Sequence, residues 1–128
     1  MTAIAPDRHL AVCFGATGDL AQRKVLPSLH RLGTAGVAAG RTFVLGAARS
    51  ALTDEAFRET VRKSLVGSGI EDAKAREWCT KCVFFQSIGE GAEADFARLR
   101  RRIEEIEKSH ELQGNRIFYL ALPLPAFS

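Results

Sequence analysis

Several features that would place a protein in a class are scarce or missing here. There are only three cysteines, an odd number with no framework spacing. This argues against a disulfide-stapled secreted scaffold and leads to an expectation of reduced thiols. No uncharged apolar stretch approaches the roughly 18 residues that a membrane-spanning helix needs. The opening MTAIAP has neither the basic start nor the apolar segment of a secretion signal. A cytoplasmic protein without a membrane partner is therefore expected. Neither sign of charge dominates: 18 basic residues stand against 15 acidic ones, a net charge of +3, too mild to argue for nucleic acid. No internal repeat and no domain-dividing linker is visible, and 128 residues suit a single domain.

What is present alternates between two patterns. Apolar runs at 9–14 (HLAVCF), 41–47 (RTFVLGA), 82–87 (CVFFQS) and 116–122 (RIFYLAL) suit buried strands. Between them lie helical patterns. The first runs from Thr17 to Leu32 with Leu20, Leu26 and Leu29 on related faces, and Pro27 should kink it and remove a backbone bond. A second begins at Thr53, a capping residue followed by Asp54 and Glu55, and continues through Phe57, Val61 and Leu65 to Gly67 and Gly69. A short helix is expected over 71–79. A longer one is expected over 92–110, with Phe96, Leu99, Ile103 and Ile106 as its apolar stripe and Gly114 as its stop.

The order β-α-β-α-α-β-α-β with continuous apolar strands predicts an α/β fold, a Rossmann-like doubly wound parallel sheet with helices on both faces. Four strands would leave that sheet incomplete, since a full dinucleotide fold has about six. The apolar run FYLALPLPAF before Ser128 fits that expectation of a partial domain.

The first strand leads into GATGDLAQRK (15–24). Glycines at such a strand-to-helix junction let backbone N–H groups approach a phosphate, and the helix start adds its positive dipole end. Gly15 would permit the tight turn, Gly18 the close approach, and Ala21 would take the third small position of a GxxGxxA variant of the dinucleotide fingerprint. The same glycines would serve a tight turn without a ligand. The second strand ends in Ala47-Ala48-Arg49-Ser50, where NAD-binding folds carry an acid for the ribose hydroxyl. With Arg49 in that place, a guanidinium could grip a 2′-phosphate or stack on adenine, and Ser50 and Thr17 could add hydroxyl donors. That favours NADP over NAD. A solvated surface arginine is the alternative.

GATGDLAQRKVLPSLHRL (15–32), VLGAARS (44–50) and NRIFYLALP (115–123) together resemble the N-terminal coenzyme domain of the glucose-6-phosphate dehydrogenase family. The similarity runs nearly the whole chain and is weakest over 67–95. The resemblance implies a partial coenzyme-binding domain over 1–128, belonging to an NADP-dependent enzyme that converts glucose 6-phosphate to 6-phosphogluconolactone. It implies that Gly15, Ala16, Thr17, Gly18, Asp19 and Leu20 form the pyrophosphate turn, that Arg49 and Ser50 hold the 2′-phosphate, and that Ala121, Leu122 and Pro123 lie on the nicotinamide side. Asp19, an anion itself, should cap the helix or hold the loop rather than touch phosphate. Leu124 stands where the family has a second proline. The family's Asp-His-Tyr-Leu-Gly-Lys run, its histidine base, its substrate domain and its homo-oligomer surface do not occur in this stretch. No catalytic residue is therefore expected here, and glucose 6-phosphate is a partner of the full-length protein only. A stand-alone NADP-sensing or partner-binding module is the other functional expectation. A remnant that binds nothing and aggregates through unpaired strand edges is a third.

Three further features have plain structural explanations. Cys79 and Cys82 form a C-x-x-C without the additional ligands that zinc needs, and Cys82 suits a buried apolar position. The charge-dense run from Arg98 to Lys108 pairs Arg100 with Glu104 and Arg101 with Glu105 at helical spacing, as a solvated face does. Trp78, the only tryptophan, is expected against the sheet edge.

Overall fold

A computed structural model describes residues 8–34, 40–112 and 114–121. Its centre is β1 (His9–Phe14), whose Leu10, Ala11, Val12 and Cys13 are fully enclosed. To one side runs β2 (Thr42–Ala48), buried at every residue, and beyond it β3 (Val83–Ser87). On the other side of β1 lies β4 (Arg116–Leu120). The order is β3-β2-β1-β4 and every pairing is parallel. His9 faces Thr42 and Phe14 faces Ala47, while Leu10 faces Arg116 and Phe14 faces Leu120. The unbroken apolar runs of β1 and β2 are what a parallel sheet covered on both faces requires. This is the Rossmann-like four-stranded sheet that the pattern predicts.

The first helix departs from the regular geometry. A π-helical turn, Ala21–Val25, runs directly into α1 (Leu26–Thr34), and the Leu26 N–H bonds the Ala21 carbonyl five residues back. Pro27 follows at once. The hydrogen-bond register slips by one residue just ahead of the residue that cannot donate, so the disruption expected from Pro27 is taken up by a widened turn.

The other helices are α2 (Asp54–Gly67), α3 (Asp72–Cys82) and α4 (Glu93–His110). Thr53 caps α2, its Oγ1 accepting the Ala56 N–H at 3.1 Å, and Phe57, Val61 and Leu65 are buried as their spacing predicts. The short third helix runs three residues further than the pattern 71–79 suggests, so Cys82 closes it and β3 starts at Val83. Glu111 ends α4 in the left-handed conformation, φ 57° and ψ 48°, three residues ahead of the expected stop at Gly114.

Successive β3 residues show how the layers divide. Phe85 packs on Phe57 of α2 with ring centroids 4.9 Å apart, whereas Phe84 meets His110 of α4 at 5.6 Å. Neighbouring strand residues point to opposite faces, so α2 and α4 cover opposite sides of the sheet. α2 lies very close to it. A β-carbon on Gly46 would fall 2.5 Å from the Phe57 ring and 2.9 Å from the Ala16 β-carbon, so only glycine admits both neighbours.

Trp78 meets the sheet at the amino end of β2. It is wedged between α1 and the start of β2, edge-on to His30 at 5.2 Å and against Gly33 and Thr42. One packing expectation is corrected. The pairs Arg100–Glu104 and Arg101–Glu105 do not form. The charged partners on α4 are Asp95 with Arg98, Arg102 with Asp54, and a two-pronged contact of Arg116 with buried Glu107 at 2.7 and 2.8 Å. The last two contacts tie the helix to α2 and β4, so the helix is more than a solvated face.

Candidate cofactor site

In a parallel sheet all carboxyl ends lie along one edge. The glycine turn after β1, Arg49 after β2, Ile88 after β3 and Ala121 after β4 therefore emerge together, the place where open α/β sheets bind ligands. A cleft of about 540 Å³ occupies that edge, lined by Gly15, Thr17, Gly18, Arg49, Ser50 and, among others, Ile88 and Phe96.

The turn is built for close approach. Gly15 has φ 74°, a left-handed conformation that side chains resist. Its N–H and that of Ala16 bond the Ala47 carbonyl of β2 at 2.9 and 3.3 Å. Gly18 donates to Gly15 O at 3.0 Å and accepts from the Gln22 N–H at 3.1 Å, which opens the first helix. The N–H groups of Asp19 and Leu20, just inside that helix end, make no backbone hydrogen bond among the described residues, since the Gly15 and Ala16 carbonyls are taken by Gly18 and Gln22, so the helix start offers donors and its positive dipole end.

Arg49 is exposed at the end of β2, with Ser50 beside it. Its backbone is fixed, since its carbonyl accepts the Ser87 hydroxyl at 3.3 Å, and Ser87 Oγ in turn accepts the Gly89 N–H at 3.2 Å. Its guanidinium has no carboxylate partner among the described residues.

Of the eight residues implied for the cofactor, the cleft brings together Gly15, Thr17, Gly18, Arg49 and Ser50. Ala16 is wholly buried and forms the floor of the turn. Leu20 is exposed and does not line the cleft. Asp19 neither caps the helix nor holds the loop. Its carboxylate pairs with Arg23 at 3.3 Å on an open surface. The loop is held instead by Gln22, whose Nε2 donates to the Ala16 carbonyl at 2.7 Å while its Oε1 accepts the Ser64 hydroxyl at 2.5 Å. Ala121 lines the cleft; Leu122, Pro123 and Leu124 lie outside the described residues.

Phe96 belongs to the cleft too. Its apolar spacing assigns it to the α4 core stripe, yet it is 46% exposed while Leu99, Ile103 and Ile106 are buried. The first turn of α4 reaches the carboxyl end of the sheet, where Phe96 lines the cleft beside Ile88 and Ala121.

The cysteines are elsewhere and unreactive. All three thiols are buried and free. Burial pushes Cys79 up to about 12, against weaker opposition from Arg58 and Arg62, and Cys13 up to about 11. A thiol held so far above its ordinary value stays protonated at neutral pH and makes a poor nucleophile.

The family model for the NAD-binding domain of glucose-6-phosphate dehydrogenase matches residues 12–128. The chain belongs to that family. Similar proteins include the glucose-6-phosphate 1-dehydrogenase of Treponema pallidum, 39% identical over 94% of this chain and 24% of that protein. The enzyme of Aggregatibacter actinomycetemcomitans is 34% identical over 88% of this chain and 23% of its own length. The chain thus spans about a quarter of the length of these curated relatives. A solved glucose-6-phosphate dehydrogenase in complex with its substrate glucose-6-phosphate superposes with a TM-score of 0.77 at 32% identity, covering 99% of this chain and 27% of that one. For this glucose-6-phosphate dehydrogenase-type domain the family match supports a nicotinamide cofactor, and a glycine turn, a helix start and an exposed arginine around one cleft fit such a ligand.

Proposed function

We propose that this chain is the coenzyme-binding part of a glucose-6-phosphate dehydrogenase and that the coenzyme is NADP. The observation that carries the NADP preference is Arg49, exposed at the carboxyl end of β2 with no carboxylate partner among the described residues, in the same cleft as the glycine turn. An acid there would accept the ribose hydroxyl of NAD and repel the extra phosphate of NADP; a guanidinium does the reverse. Ser50 and Thr17 supply hydroxyl donors beside it. The turn from Gly15 to Gly18 and the helix start after it receive the pyrophosphate. Phe96 and Ile88 give the cleft an apolar wall that suits the adenine ring.

In the whole protein, bound NADP would serve as the hydride acceptor for C1 of glucose 6-phosphate. This chain's residues bind and orient the coenzyme. The groups that handle the sugar and its proton belong to the rest of the protein, so NADPH formation from glucose 6-phosphate by the chain alone is expected to be absent.

Calorimetric titration with NADP and NAD tests the cofactor choice. NADP should bind more tightly, and Arg49→Ala should weaken NADP by about 10- to 100-fold, the range of one or two charge-assisted hydrogen bonds. Binding of NAD should change little. Equal affinities that Arg49→Ala leaves unchanged would contradict the proposal.

A further inference from the structure

We infer that Gln22 and Ser64 form a clamp that holds the glycine turn in its anion-receiving conformation, making Gln22 a positioning residue for the coenzyme; this rests on the cofactor reading above. The Ala16 carbonyl can only accept a hydrogen bond, so the group 2.7 Å from it is the amide nitrogen of Gln22. That fixes the orientation of the side chain, and Gln22 Oε1 accepts the Ser64 hydroxyl at 2.5 Å. The clamp therefore reaches from the turn, through the π-helical segment, to α2.

The effect on the turn follows from peptide geometry. In a trans peptide the C=O and N–H point in opposite directions. With the Ala16 carbonyl drawn toward Gln22, the N–H of Thr17, which belongs to the same peptide unit, is turned away from Gln22. Thr17 lines the cleft, so the donor is presented to the ligand side and the partial negative charge of the carbonyl is kept behind it. Were this peptide to rotate, an oxygen would face the ligand's phosphates and a donor would be lost. Backbone bonds hold the two ends of the turn, the Gly15 N–H to the Ala47 carbonyl at 2.9 Å and the Gly18 N–H to the Gly15 carbonyl at 3.0 Å. Among the described residues, however, only Gln22 bonds the Ala16 carbonyl, and the Ala16 N–H makes a long 3.3 Å bond to Ala47. Asp19, the polar residue best placed by sequence, points to Arg23 instead.

The test compares NADP with 2′-AMP, which carries the ribose phosphate but no pyrophosphate, on the wild-type chain, Gln22→Met and Ser64→Ala. Gln22→Met keeps the volume and removes the donor. Loss of one neutral hydrogen bond and of peptide alignment should weaken NADP by about 5- to 20-fold. Ser64→Ala, which loosens the amide without removing it, should weaken NADP by about 2- to 5-fold. Binding of 2′-AMP should stay within about twofold for both variants, a separation that general destabilisation would not produce. NADP affinity unchanged in Gln22→Met, or an equal loss for both ligands, overturns the inference while leaving the cofactor reading intact. A folded wild-type chain that binds neither ligand overturns the cofactor reading, and this inference with it.

Discussion

Arg102 of α4 reaches Asp54 at the start of α2, its Nη2 lying 2.6 Å from Oδ2, while the other oxygen of Asp54 accepts the Phe85 N–H at 2.8 Å. One carboxylate thus joins two helices on opposite faces of the sheet and satisfies a backbone donor on the outer strand. Both side chains are about three-quarters enclosed, at 28 and 26% exposure. Asp54→Ala leaves Arg102 and the Phe85 N–H without partners and should cost about 2–4 kcal/mol in denaturant unfolding. Asp54→Asn can still accept from Phe85 and should cost less. Equal losses in the two variants would show that the charge contributes nothing.

Gly46 is expected to tolerate no side chain. In Gly46→Ala the new methyl meets the Phe57 ring and Ala16 together, and overpacking of that kind costs about 1–3 kcal/mol. Because Ala16 is the floor of the glycine turn, NADP affinity should fall as well. Gly67→Ala, at a helix end with open space around it, is the control and should affect neither property.

Phe96 should matter for the ligand and little for the fold. It is nearly half exposed, so Phe96→Ala should change unfolding free energy by less than about 1 kcal/mol. Removing an aromatic face beneath a base typically costs about 1–3 kcal/mol of binding, a loss of about 5- to 150-fold for NADP. A stability loss without an affinity loss would return Phe96 to the core stripe its spacing suggests.

Acid should destabilise the fold through His30. Burial chiefly, and Arg31 secondarily, lower its pKa from the ordinary 6.5. In the window below 6.5 and above the lowered folded value, the unfolded chain binds more protons than the folded one, so stability falls as pH falls. Above 6.5 both states are neutral and the contribution is flat. His30→Leu should remove this slope from unfolding curves between pH 7 and pH 5 while the wild type retains it. Identical slopes would contradict the assignment.

Much of the sheet was legible because β1 and β2 are buried on both faces, which makes them unbroken apolar runs. The equally apolar run of β4, expected as a buried strand, instead leaves Ile117, Phe118 and Leu120 exposed on the outer side of the sheet. β1 coincides with 9–14, and β2 and β3 each begin one residue after the pattern places them. Thr53 and the positions of Gly15, Arg49 and Ser50 were readable for a similar reason, since turn and cap chemistry is local. What escaped depends on where the sheet stops. Apolar periodicity treats Phe96 like Leu99, because nothing in the spacing shows that the first turn of α4 reaches the carboxyl end of the sheet. The sequence pattern points to Asp19 rather than Gln22, since the partners of Gln22, Ala16 O and Ser64 Oγ, come together only once α2 has packed beside the first helix. The π-helical turn is likewise a local answer to Pro27 that propensity alone does not specify.

The most direct test of the cofactor site is a map of backbone amide shifts on titration with NADP. Trp78 fluorescence is a poor reporter, since that ring lies by Thr42 at the far end of β2 from Arg49. The account predicts the largest changes at Gly15, Thr17, Gly18, Arg49 and Ser50, with smaller ones at Ile88 and Phe96. Changes centred on the other end of the sheet, around His30, Gly33 and Trp78, with the glycine turn unmoved, would contradict it.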